Sequence, residues 1–115
     1  MKNLSFHLRA RFAWQGIKAA WQNEMSFRTH CAATAFVVLV LLIKRPVAAW
    51  WAILLLTCAV VIAAELFNTA LEQSLDLISP EPHPAVKLAK DCSAGAVLVL
   101  SVGAVCVFIA FLAAT

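Results

Sequence analysis

The chain has 115 residues, of which 63% are hydrophobic and only 13% charged, and its formal net charge is +3. Soluble domains carry about a quarter charged residues, and a single domain of this size cannot hide so much apolar surface from water. A water-soluble enzyme is excluded, and lipid must be the solvent for most of the chain.

Residues 1–24 are polar enough to stay outside the hydrocarbon, yet they are patterned. Ala10, Ala13, Trp14, Ile17, Ala20 and Trp21 recur at three- and four-residue steps, opposite Arg11, Gln15, Lys18 and Gln22. The pattern predicts an amphipathic helix in the membrane interface, with tryptophans at headgroup depth and basic residues toward anionic lipid. Glu24 falls by phase on the apolar face, where a carboxylate is costly without a partner.

From Met25 the chain turns hydrophobic, with Arg28 and His30 in the first turns and no charge from Cys31 to Ile43. About twenty residues are needed to cross a bilayer, so a first span over about 25–43 requires Arg28 to snorkel. His7 and His30 belong to no visible constellation. Lys44, Arg45 and Pro46 form a turn. A second helix over 47–78 starts with eighteen uncharged residues, entered through Trp50 and Trp51 at the interface, and runs on into Glu65, Glu72 and Asp76. At about 100° per residue those three carboxylates fall within roughly 40° of one another, forming a stripe about 16 Å long. Asn68 flanks the same face. Pro80, Pro82 and Pro84 must break this helix. A third helix over about 85–115 carries Lys87, Lys90 and Asp91 at its start, and no charge follows from Cys92 to Thr115. The four cysteines form no CxxC and no Cys/His cluster, so they read as free thiols in apolar surroundings rather than a zinc site.

Lys2, Arg9, Arg11, Lys18 and Arg28 precede or open the first span, while the next loop has only Lys44 and Arg45. The excess places the N-terminus and the 65–91 region in the cytoplasm. Carboxylates at a bilayer edge are expensive and usually face a bundle interior or a cavity. Oxygen ligands with no His or Cys partner favour magnesium or calcium over zinc. Lys87 and Lys90 could supply counter-charge for phosphates, although no GxxxxGK[ST] or glycine-rich loop is present. The pattern alone leaves two active readings open. One is a nucleotide–metal site at the cytoplasmic interface; the other is a small proton- or cation-coupled transporter using Glu65 and Glu72.

The run Glu65-Leu66-Phe67-Asn68-Thr69-Ala70-Leu71-Glu72, followed by Asp76, His83-Pro84 and Lys87-Leu88-Ala89-Lys90-Asp91 through Val97, carries a resemblance. It closely resembles the signature of the bacterial integral-membrane diacylglycerol kinase family, which includes undecaprenol kinases. Gln15 to Ala20, Asn23-Glu24 and Phe27-Arg28 resemble its N-terminal region, so the similarity spans about residues 6–105.

The resemblance implies an all-α membrane protein: one domain over 1–115, with an N-terminal amphipathic surface helix and three transmembrane helices, assembled as a homotrimeric helical bundle with shared active sites. It implies transfer of phosphate from ATP, with Mg²⁺, to a membrane lipid alcohol in the bacterial cytoplasmic (inner) membrane. Either diacylglycerol or undecaprenol is a reasonable acceptor, and no nucleic acid partner is expected. By position, Glu65 matches the catalytic base that meets the substrate, and Glu24 and Glu72 match the metal-holding carboxylates. Lys90 and Asp91 match the phosphate-side pair, and Glu81, Pro82 and His83 the loop around ATP. Phe12 matches a residue near the adenine, while Asn68, Asp76 and Arg28 match supporting polar residues. Phe12 and Pro82 stand where tyrosine is common in the family.

Overall fold

Four α-helices and three short joints make up the computed structural model, which describes residues 2–115. Met1, part of the expected 1–115 unit, lies outside them. The first helix, α1 (Phe6–Asn23), starts where the Ser5 hydroxyl accepts the Leu8 amide at 3.4 Å. It stops at Glu24, whose extended backbone (φ −120°, ψ 111°) breaks the helical path. The Glu24 amide donates back to the Ala20 carbonyl at 2.8 Å, and its carbonyl accepts from the Arg28 amide at 3.3 Å. One residue thus closes α1 and opens α2 (Met25–Lys44).

Pro46 disfavours helix at the residue before it. Arg45 accordingly leaves the right-handed region for φ 48°, while its amide still closes on the Leu41 carbonyl at 2.8 Å. Two 31-residue helices follow, α3 (Ala48–Ile78) and α4 (Pro84–Ala114). Between them, the Ser79 hydroxyl donates to the Glu81 carbonyl at 3.0 Å, bracing the proline loop. His83 caps α4 by accepting the Ala85 amide on Nδ1 at 3.0 Å. Pro84 takes the first helical position, where a missing N–H leaves nothing unpaired.

Each of α2, α3 and α4 is long and apolar enough to cross a bilayer. The short joints make them antiparallel neighbours in sequence order, and α3 packs against both α2 and α4. At the end away from the carboxylates, Leu41, Leu54 and Phe111 are fully enclosed and form the core. Trp50 meets Phe111 edge-on, with ring centroids 5.4 Å apart. Trp50 and Trp51 are half-buried against this core. Toward the other end, a groove of about 350 Å³ opens between the three helices. Thr34, Thr57 and Ser101 line it, but each hydroxyl donates to the carbonyl four residues back. Their polar atoms are therefore satisfied within their own helices, and the groove presents an apolar wall. All four cysteines are free.

Candidate active site

The groove reaches His30 on α2 and Val61 on α3, and Glu65 follows one turn beyond Val61. Glu65 is 5% exposed, the one buried charged side chain among the described residues. An enclosed carboxylate needs a partner, and α2 supplies it: His30 Nε2 lies 3.1 Å from Glu65 Oε1. His30 also lines the groove. The expectation that His30 belongs to no constellation is therefore corrected. The reason lies in the antiparallel hairpin, which no spacing within one helix reveals. His30 lies sixteen residues before Pro46 and Glu65 nineteen after it. At about 1.5 Å per residue, both reach nearly the same level above the turn. That count was the signal available.

Beyond Glu65 the carboxylate stripe runs from dry to wet. Asn68, one turn on, has its side-chain oxygen enclosed and without a hydrogen-bond partner among the described residues. Glu72 is half-buried and Asp76 exposed. Lys90 on α4 forms an ion pair with Asp76 on α3, tying the hairpin together at its open end. Asp91 does not pair with Lys90; it accepts from Lys87, one turn earlier on α4, at 2.6 Å. That hydrogen bond, and secondarily the attraction of opposite charges, holds the Lys87 ammonium above its ordinary value of 10.5. Lys87 stays charged throughout the physiological range.

An open cleft of about 570 Å³ gathers Asp76, Glu81, Pro82, His83, Lys87 and Lys90. Of the residues singled out from sequence, these form one wall. His83 Nδ1 is already engaged as the α4 cap, so only its other ring nitrogen faces outward duties. Phe12 and Arg28 are exposed on α1 and α2, and Glu24 is half-buried at their joint; none of the three lines this cleft. Glu24 and Glu72 belong to no cluster of three metal-capable side chains among the described residues. Oxygen donors without His or Cys do not suit zinc; they are the donor type of magnesium, which takes one or two protein carboxylates and completes its shell with phosphates and water.

The sequence matches the pattern of the prokaryotic diacylglycerol kinase family over residues 11–112, nearly the whole chain. The chain belongs to that family. Among prokaryotic diacylglycerol kinases, it is 39% identical over 98 residues to a diacylglycerol kinase of Synechocystis sp., covering 84% of this chain and 56% of that protein. It is 37% identical over 91 residues to an undecaprenol kinase of Bacillus subtilis, covering 78% of this chain and 73% of the relative. It is 31% identical over 103 residues to the diacylglycerol kinase of Escherichia coli K12, covering 84% and 79%. The family is thus one of lipid kinases, and within the matched residues the run Glu65 to Glu72 is the stretch of α3 that carries the buried carboxylate, the unpartnered Asn68 side-chain oxygen and the half-buried Glu72.

Proposed function

We propose that this chain transfers the γ-phosphoryl group of ATP to the hydroxyl of a membrane lipid alcohol, at the cytoplasmic face of a bacterial inner membrane. The observation that carries the reading is Glu65, buried beside His30, which lines an apolar groove, on the helix that carries Asp76 into an open lysine-bearing cleft. The lipid chain occupies the groove and brings its hydroxyl to Glu65. The hydroxyl oxygen bonds to the γ-phosphorus, the bond from that phosphorus to the bridging oxygen breaks, and ADP departs. The hydroxyl proton passes to the Glu65 carboxylate as attack begins. Lys90 offsets charge on the phosphates, so positioning and electrostatics do most of the work. Mg²⁺, when bound with ATP, neutralises phosphate charge, and Glu24 and Glu72 are the residues to hold it.

The α1 surface supports an interfacial helix: Phe6, Trp14 and Trp21 are 82%, 61% and 51% exposed, where a headgroup layer receives them. Exposed apolar side chains along α2–α4 suit both lipid and neighbouring copies of the chain. The unpartnered Asn68 oxygen suits a site completed from outside this chain, and both features accord with the homotrimer of shared sites implied by the family resemblance. The transporter reading gives no role to the cleft around Lys90 and is not favoured in a chain of this family.

The test is phosphate transfer from labelled ATP in micelles containing diacylglycerol or undecaprenol separately, with and without Mg²⁺. Labelling of one lipid establishes the activity and its acceptor, and labelling of both means a permissive groove. A folded protein that labels neither removes the proposal. Glu65→Gln should lower turnover by about 10²- to 10⁴-fold, the usual weight of a general base.

A further inference from the structure

We infer that His30 is a positioning residue for Glu65: its imidazole holds one carboxylate oxygen and leaves the other turned toward the groove, where the lipid hydroxyl arrives. This rests on the reading of Glu65 as the base. Nothing else in the sequence pattern of α3 fixes that side chain, since its neighbours at one turn are Val61 and Thr69, neither of which bonds to it, and Asn68, whose oxygen has no partner. His30 Nε2 lies 3.1 Å from Oε1, a close polar contact between α2 and α3. The imidazole is 23% exposed and the carboxylate 6%, so the contact is sheltered from water and is not screened as a surface pair is.

The surroundings leave Glu65 as the one ion-pair partner of His30 among the described residues. From α3 the groove adds the Cys58 thiol, from α4 only Ser101 as a polar group, and α1 offers His30 no ion pair. On its own helix, Arg28 is exposed, and the Thr34 hydroxyl donates to the His30 carbonyl at 2.9 Å. At 3.1 Å the ring constrains one carboxylate oxygen and leaves the other free to accept a proton.

The experiment compares the full chain with His30→Ala, His30→Gln and Glu65→Gln in lipid micelles with MgATP, reading kcat and KM separately. His30→Ala should lower kcat by roughly 10- to 100-fold, the scale of a small misplacement of a reacting group, with little change in KM for ATP. His30→Gln keeps a polar side chain at the contact and should restore most of kcat. If Glu65→Gln is inactive while His30→Ala keeps the original kcat, the positioning role is overturned and the base reading stands. If Glu65→Gln retains normal turnover, the base reading fails and takes this inference with it. Should His30→Ala not fold, His30→Leu decides: an unchanged kcat overturns the proposal.

Discussion

Asp76 on α3 and Lys90 on α4 meet across the helical hairpin, fourteen residues apart in sequence, and neither side chain is buried. An exposed pair of this kind contributes about 0–1 kcal/mol. Its value is placement, because it parks the Lys90 ammonium in the cleft beside the proline loop. Two substitutions separate these effects. Lys90→Met should lower kcat/KM for ATP by roughly ten- to a hundredfold, the weight of about 1.5–3 kcal/mol for a charged hydrogen bond. Asp76→Asn should change it by less than about fivefold. Steady-state kinetics with ATP varied at saturating lipid would check both, and equal losses would mean that the pair acts as one unit.

Glu72 is half-buried one turn short of Asp76. In the metal-holding role, Glu72→Gln and Glu24→Gln should each raise the magnesium concentration for half-maximal rate by roughly tenfold or more. A magnesium titration at fixed ATP reads this directly. An unchanged curve for either variant removes that residue from the role.

His83 accepts the Ala85 amide and so starts α4. His83→Ala should cost about 1 kcal/mol at that helix end, while His83→Asn, which can cap in the same way, should cost little. Hydrogen exchange at the amides of residues 85–87 checks this, with faster exchange expected in the alanine variant alone. Such fraying would also loosen the cleft wall, so a rise in KM for ATP without a fall in kcat is expected alongside.

Phe111 is fully enclosed against Trp50, Leu41 and Leu54, far along α4 from the charged cleft. Phe111→Ala should reduce stability by about 3 kcal/mol through the cavity left behind. Unfolding by detergent denaturant would report it as a lowered midpoint. The folded fraction should keep its kcat within about twofold, since none of the proposed carboxylates or lysines lies in that core, which meets the groove only through Val37, Leu54 and Phe108.

The sequence made the four helices legible because three uncharged runs and a proline cluster leave few alternatives. It also marked Glu65, since a carboxylate at the end of an eighteen-residue apolar run demands an explanation. Two things stayed hidden. The His30 contact is a tertiary event: the helical period relates residues on one helix, and His30 and Glu65 sit on different helices in adjacent turns of the fold. The partner of Asp91 was equally invisible, because Lys87 and Lys90 both lie within a turn of it and only side-chain placement chooses between them. Tryptophan near a span end suits a headgroup layer and a helix core alike, and Trp50 and Trp51 pack on the core.

The helices differ in length in a way that divides the molecule electrically. With 20 residues, α2 rises about 30 Å, close to the thickness of bilayer hydrocarbon, whereas the 31-residue α3 and α4 each rise about 46 Å. The hairpin therefore stands some 16 Å proud of the oil, and its ion pairs there are bathed in counterions. His30 and Glu65 sit below that waterline. Raising ionic strength should slacken the Lys87–Asp91 and Asp76–Lys90 contacts while hardly touching the His30–Glu65 contact. A salt series would thus weaken capture of the nucleotide and leave the handling of the lipid proton almost unaltered, two halves of one reaction answering to different solvents.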